Sequence, residues 1–456
     1  MQMLNKKITF YLGLVLFFHL NVYANDLNFD HLFKKFGLSK NDLSMQIMFN
    51  DKITFQQNDQ QKKIPASVTK ILTSFAILKQ IPLNIKFKTE LFYDQKNIYV
   101  KGGGDPGFVS ESMWNLVNDF KRLNVQKIAG DIIIDDTLFD SIRYDESRES
   151  IRVDRSYDAP VSALSFNWNS VNIYVKPVNG KVQVVLDPES NYFTLKNKAV
   201  VSKSKITKDL IISVDQKNKV IQVSGEISAQ QSEKAYFKNV ADPVQWFGEN
   251  LKSFLKQRNI EFTGKVKSGK IPQNLEPVVT VDSKTLSAML SDMNKFSNNF
   301  VAEMLTKKMA SIAFTAKSAQ LVDGVNIIKS ELKKINITNL ILENPSGLTR
   351  DNQFSASQLN QVLENIKNDF KIFPTFMDSL PIAGLDGTLK KRMKDTSAQG
   401  YVRAKTGYLD GVVSLAGYAA KSDSSNLYTF SFIYNGAKDE AQVRKFFDDV
   451  LLDLLN

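Results

Sequence analysis

A chain of 456 residues with 43% hydrophobic and 23% charged content is an ordinary folded protein, long enough for two or three compact domains. It contains no cysteine, which excludes disulfides, thiol catalysis and cysteine metal sites. Its two histidines, His19 and His31, are too few for a multi-histidine zinc site and a poor basis for a Ser-His-Asp triad, so a hydrolase built on this chain takes its base from lysine or a carboxylate.

Lys6 and Lys7 precede an apolar run from Ile8 to Leu20, and Val22-Tyr23-Ala24 ends on a small residue. The run is short for a bilayer span, so the pattern predicts a cleaved signal peptide over 1–24, with a retained anchor as the rival. No later segment has about 18 consecutive apolar residues, the length a further membrane span needs. Cleavage removes two lysines and no acidic residue, and the formal charge falls from +11 to +9. That balance suits peripheral contact with anionic wall polymers or a membrane surface, although plain solubility accounts for it as well. Nucleic acid is a poor candidate, because the lysines are spread along an exported chain. A homodimer stays open.

A helix around Leu32, Phe33 and Phe36 is predicted to end at Gly37, followed by strands from Met45 to Asn50 and Lys52 to Gln56. Pro65-Ala66-Ser67 then leads into a helix with Ile71, Leu72, Phe75 and Leu78 on its buried side. From about 93 to 275 the texture becomes short strands and polar turns, including Asn97 to Val100, Ile132 to Ile134 and Asn172 to Pro177. Leu210 to Val214 and Val220 to Ile227 read as a hairpin, and one helix carries Val244, Phe247, Leu251 and Leu255. After about 276 helices return, one with Leu286, Met289, Leu290 and Met293, the next with Phe300, Met304 and Leu305. Tyr401 to Thr406, Val412 to Ala419 and Tyr428 to Tyr434 read as antiparallel strands. A last helix carries Val443, Phe446, Phe447, Val450, Leu451 and Leu454. Asp448, Asp449 and Asp453 flank that stripe and would be repelled by anionic lipid, so it is expected in the core rather than on a membrane.

Three short strings carry chemistry. Ser67 and Lys70, three residues apart at a helix start, share a face; a lysine with a lowered pKa can accept the serine proton, and free N–H groups there can hold an oxyanion. Alone, Ser67 would serve equally as a helix cap. Ser297-Asn298-Asn299 lies between two helical stretches; Ser297 could relay a proton to a leaving amine and Asn299 could hold a carbonyl, or the string is merely a polar loop. Lys405-Thr406-Gly407, on a strand, supplies positive charge, a hydroxyl and room for a backbone to approach, or is an ordinary edge strand. The three occur in this order in a chain without a usable histidine, which tips the balance to catalysis.

With these strings the chain resembles the class C low-molecular-mass penicillin-binding proteins, the D-alanyl-D-alanine carboxypeptidase/endopeptidase family of the penicillin-binding protein 4 type. The roughly 226 residues between Lys70 and Ser297 match the large insertion that marks the family. Further segments fit too: Gly102 to Pro106, Ala159-Pro160 with Ser162-Ala163-Leu164, Ser346 to Asn352, and Gly384 to Leu389. The glycine run lacks the Gly-Lys-Ser/Thr ending of a phosphate loop and reads as a tight structural turn. Asn344-Pro345, Asn167 and Asp410 depart from the pattern at positions that touch substrate preference.

The resemblance implies an α/β fold: a transpeptidase/β-lactamase-like domain, an antiparallel sheet flanked by helices, with a large, mainly β, two-domain insertion. The expected division is 25–92 and 276–456 for the transpeptidase-like domain, 93–162 and 235–275 for one insertion domain, and 163–234 for a second nested within it. Ser67 would attack the penultimate D-alanine of peptidoglycan stem peptides with Lys70 as base. Ser67 and Tyr408 N–H groups would hold the oxyanion, Ser297 would protonate the leaving amine, and Asn299 and Lys405 would position and polarise the complex. Thr406 and Gly407 would receive the terminal carboxylate, and Arg350, with Asp410 and Asn167, would line a pocket for a stem-peptide carboxylate. β-Lactams would acylate Ser67 as covalent inhibitors, no metal or organic cofactor is needed, and the site of action is the periplasm or the outer face of the cytoplasmic membrane. A β-lactamase, which needs a fast deacylation device, and a non-enzymatic wall-binding protein on the same scaffold are the alternatives.

Overall fold

The computed structural model describes residues 27–148, 153–202, 209–315, 318–421 and 427–456; the expected signal peptide over 1–24 lies outside the described residues. A five-stranded antiparallel sheet runs in the order Val402–Leu409, Val412–Ala420, Leu427–Asn435, Leu43–Phe49, Lys52–Gln57. The two ends of the chain therefore meet in its middle, with Leu43 opposite Tyr434 and Phe49 opposite Tyr428.

Period-two alternation sorts this sheet into two buried faces. Met45, Ile47, Val413, Leu415, Phe430 and Phe432 face a core shared with the helices Asp30–Phe36 and Glu440–Leu455. The C-terminal apolar stripe packs here as expected, and Asp449 at its flank is buried against Lys35 at 2.7 Å. Ala416, Tyr418 and Ile433 turn to the other face, whose core is built from the helices Thr69–Gln80, Leu286–Lys295, Asn299–Ala313, Leu321–Lys334 and Ala356–Lys367. The functional strings lie on this second face, which is why its helices matter to the site.

A second five-stranded sheet, of mixed direction, has the order Val266–Ser268, Ile132–Asp135, Ile98–Lys101, Lys88–Tyr93, Pro277–Asp282. Its core includes Phe120 of the helix Ser110–Lys121 and Phe247 and Leu251 of Pro243–Gln257. The same core continues through Ile173 and Ile221 into two three-stranded sheets, one around Ser170–Val178 and one around Val220–Ser224. The expected hairpin forms between Ile211–Asp215 and Val220–Ser224, but the second strand stops at Gly225, and Glu226–Ser228 pairs instead with Val200–Ser202. Gly102 and Gly103 serve a close backbone approach, and the turn itself falls at Pro106-Gly107: a Cβ at Gly102 would lie 2.3 Å from the Ala163 carbonyl, and one at Gly103 2.2 Å from that of Lys88.

Candidate active site

The chain enters the helix Thr69–Gln80 through one tight turn, Ala66–Val68. Ala66 sits at φ 50°, a left-handed backbone costing a β-carbon-bearing residue about 1–2 kcal/mol, and its neighbours hold it there. Thr69 Oγ1 donates to the Ala66 carbonyl at 2.7 Å, and Ser414 Oγ to that of Pro65 at 2.6 Å. Ser67 is thereby presented half-buried at the foot of the helix, with Lys70 one turn on and fully buried.

Lys70 Nζ lies 3.1 Å from Ser67 Oγ, 2.7 Å from Asn299 Oδ1 and 2.5 Å from the Ser346 carbonyl. Asn299 has its amide orientation set by Nδ2 donating to the Tyr157 carbonyl at 3.3 Å, so Oδ1 must face the lysine. Two of the three neighbours are pure acceptors, and a neutral amine has two N–H bonds and one lone pair. The lone pair is left for the Ser67 hydroxyl proton. Burial pushes the Lys70 ammonium well below the usual lysine range, the positive charge of Lys405 adds to this, and Glu303 opposes it. The neutral amine that this favours is placed to accept a proton from Ser67.

Ser297 (φ 55°) turns between the helices Leu286–Lys295 and Asn299–Ala313, and Asn298 caps the second by accepting from Val301 N–H. Lys405 Nζ reaches Ser297 Oγ at 2.8 Å and the Thr406 carbonyl at 2.7 Å, and burial holds it down to about 7. Val402–Leu409 is an edge strand that runs close past Ser67. A Cβ on Gly407 would meet Ser414 Oγ at 2.0 Å, the Pro65 carbonyl at 2.8 Å and the Ser67 nitrogen at 3.1 Å, so any side chain there would push the strand away from the Ser67 amide. Thr406 Oγ1 bonds to Thr388 Oγ1 at 2.8 Å, which ties the 384–389 segment to the site, and Tyr408 is exposed beside it.

Arg350 is exposed, and its Nη2 donates to the Asp410 carbonyl at 2.9 Å, so these two expected pocket residues do come together. Their contact uses the Asp410 backbone rather than its carboxylate. Asn167 is engaged elsewhere. Its Oδ1 accepts from the Ser110 N–H and its Nδ2 donates to Ser110 Oγ, both at 3.0 Å, which satisfies the start of the helix Ser110–Lys121. No hydrogen bond of Asn167 among the described residues reaches Arg350 or Asp410.

Sequence reasoning passed over a set of buried residues behind Lys70. Arg148 pairs through two nitrogens with Glu303, Nε at 2.9 Å and Nη2 at 2.7 Å, and through Nη1 with Asp158 and the Ala159 carbonyl, each at 3.1 Å. Glu303 lies one turn after Asn299 on the same helix face, and that spacing was the only signal available for it. Among the described residues no three His, Asp or Glu side chains converge as a metal site.

A serine and two buried lysines thus converge at the edge of the sheet, an arrangement suited to serine acyl transfer. A model of the D-Ala-D-Ala carboxypeptidase 3 (S13) family matches residues 28–452, and the chain belongs to that family: it is a serine DD-peptidase. It is 28% identical to a D-alanyl-D-alanine carboxypeptidase of Actinomadura over 84% of this chain and 75% of that protein. It is also 28% identical to the D-alanyl-D-alanine carboxypeptidase DacB of Haemophilus influenzae, over 81% of this chain and 80% of that one. The crystal structure of penicillin-binding protein 4 of Haemophilus influenzae superposes with a TM-score of 0.78 at 24% identity, covering 94% of this chain and 100% of that chain. That likeness bears out the α/β transpeptidase-like fold.

Proposed function

We propose that this peptidase acts outside the cytoplasmic membrane on the stem peptides of peptidoglycan, through an acyl-enzyme on Ser67, as both carboxypeptidase and endopeptidase. The observation that carries the reading is the seat of Lys70, buried with two acceptors and the Ser67 hydroxyl around its amine. Neutral Lys70 takes the Ser67 proton as Oγ attacks the penultimate D-alanine carbonyl. The backbone N–H groups of Ser67 and Tyr408 stabilise the tetrahedral oxyanion. As the C–N bond breaks, Ser297 passes its proton to the departing amine and is reprotonated by Lys405, which recovers a proton from Lys70, so that Lys70 is neutral again, and Asn299 keeps it in place. The terminal carboxylate of the substrate rests on Thr406 and the open strand edge at Gly407. Water, its proton taken by Lys70, then releases the acyl group.

A β-lactam carbonyl meets the same groups, but its ring-opened amine stays tethered, so the adduct persists. Incubation with a fluorescent penicillin followed by a denaturing gel tests the reading. A stable band supports a DD-peptidase, rapid turnover of the reagent points to a β-lactamase, and no labelling to a wall-binding protein. The nested division of the insertion, 163–234 inside 93–162 and 235–275, belongs to the same proposal and is tested by limited proteolysis at those boundaries.

Arg350 is proposed to bind a carboxylate on the stem peptide, such as that of a diaminopimelate side chain. Its exposed position beside Asp410, at the end of the catalytic strand, supports this, because a planar guanidinium can pair both oxygens of a carboxylate. Arg350→Ala is expected to lower the rate on diaminopimelate peptides by about tenfold to a hundredfold, from roughly 1.5–3 kcal/mol for a charge-assisted contact. Penicillin acylation should change little, since penicillin lacks that group. An unchanged ratio of muropeptide cleavage to acylation would leave Arg350 a surface residue.

Export rests on the basic and apolar start of the chain, and among the described residues no helix is long and apolar enough to cross a membrane. Cleavage after Ala24 should leave Asn25 as the first residue of protein taken from the cell envelope; N-terminal sequencing that finds an intact Met1 rules this out. Sedimentation of that mature chain, alone and with anionic vesicles, tests the homodimer and the peripheral membrane contact that its positive charge allows.

A further inference from the structure

Arg148 and Asp158 belong to the long stretch between Lys70 and Ser297, yet they are buried against the helix that carries Asn299. Arg148 has no exposed side-chain surface, and Asp158 and Glu303 have almost none. Each arm of this cluster ends on a group that touches the catalytic lysine. Glu303 Oε1 accepts from Ser346 Oγ at 3.4 Å and from Asn344 Nδ2 at 3.3 Å, and Ser346 Oγ also bonds to Asn344 Oδ1 at 2.5 Å. The Ser346 carbonyl is the acceptor 2.5 Å from Lys70 Nζ. On the other arm, Asp158 follows Tyr157, whose carbonyl fixes the Asn299 amide, the second acceptor of Lys70.

We propose that the buried Arg148–Glu303–Asp158 cluster is a positioning device: it locks the insertion onto the catalytic centre, holds Ser346 and Asn299 at Lys70, and fixes the charge that surrounds this lysine. Arg148 suits the task because its planar fork spans Glu303 with two nitrogens and Asp158 with a third, which the single ammonium of lysine cannot do. The charges fit a catalytic role as well. Two buried carboxylates and one guanidinium leave one negative charge, which a single proton shared between Lys70 and Lys405 balances. One lysine is then a base and the other a cation.

The charged groups facing Lys70 are Lys405 from the catalytic strand and Glu303 from the helix Asn299–Ala313. Those facing Glu303 are Arg148 and, across a cavity on its far side, Arg143, Asp145, Glu146 and the Lys307–Asp140 ion pair. Of the two charges facing Lys70, Glu303 favours its charged form and Lys405 opposes it. Glu303→Gln keeps the shape and removes the charge, so Lys70 loses its proton at lower pH.

The inference rests on Lys70 being the general base. The test is the second-order rate of penicillin acylation against pH, measured on the full mature chain. Glu303→Gln should move the acid limb down by about one pH unit, from a charge acting through a buried site. Arg148→Lys keeps the positive charge and should leave the limb in place, while the plateau falls at least about tenfold as the fork is lost. A Glu303→Gln limb that stays put, or a plateau within twofold of wild type for Arg148→Lys, overturns the proposal. Should Glu303→Gln fail to fold by circular dichroism, the Arg148→Lys plateau decides. Lys70→Met separates the two ideas: if it still acylates, the general-base reading has failed, whereas silence in Lys70→Met with unmoved behaviour in the other variants fails the positioning role alone.

Discussion

Ser67→Ala is expected to abolish the penicillin adduct and to lower D-alanyl peptide cleavage by on the order of 10⁶-fold, the scale on which loss of a serine nucleophile acts. Nothing else at the site can substitute. Ser297 Oγ is 2.8 Å from Lys405, but Lys70 is committed to Ser67 and to two fixed acceptors. Thr406 Oγ1 is bonded to Thr388 Oγ1. The fold should survive, because Ser67 Oγ makes its hydrogen bond to Lys70 only from a half-buried position, and losing it costs about 1 kcal/mol. Thermal melting should thus show a near-wild-type transition while mass spectrometry after penicillin finds an unmodified chain. An adduct mapped to another serine would show that the nucleophile is not Ser67.

The convergence of the motif residues was legible because each sits at or near the end of a local element. Ser67 and Lys70 share one helical turn, Ser297 and Asn299 bracket a helix start, and Lys405 and Gly407 are two apart on a strand. Short strings capture such geometry. The apolar stripe of the last helix was legible for the same reason, since its period is local.

What lay outside the reading depends on distant chain segments. Arg148 and Glu303 are 155 positions apart, and neither lies in a pattern that a window of a dozen residues can weigh. The Ser346 carbonyl is invisible to any side-chain motif, although Ser346 itself stood in a recognised segment. Asn167, assigned to the pocket by resemblance, is tied to Ser110 by two hydrogen bonds that no local pattern foretells. The helix Ser110–Lys121 was missed for a simpler reason. Met113, Leu116, Val117 and Phe120 carry the 3-4 spacing of a buried face, but they sit within a stretch whose texture is otherwise strands and turns. Ala356–Lys367 was passed over too, despite a capping box from Ser355 and Gln358 and a stripe of Leu359, Val362, Leu363 and Ile366.

Lys70→Arg is expected to cost on the order of 10³–10⁴-fold in both acylation and peptide cleavage, although it preserves the positive charge. The reason is protonation rather than position. Burial and the neighbouring Lys405 lower the Lys70 pKa well below the usual lysine range, which favours the neutral amine a base requires. A guanidinium keeps its proton throughout the working range and offers no lone pair to Ser67. It also has five donors where the site supplies two fixed acceptors, so some would be buried without partners. The wild-type pH profile gives the discriminating readout. Deprotonation of Lys70 creates the base, so the rate rises with pH on the acid side; loss of the Lys405 proton, near 7, removes the positive charge at Ser297, so the rate falls beyond it. In Lys70→Arg the acid limb should vanish along with the activity, leaving only a residual rate that climbs with hydroxide. A Lys70→Arg enzyme that kept a bell-shaped profile within tenfold of wild type would mean that Lys70 is not the base and that the proton of Ser67 leaves by another route.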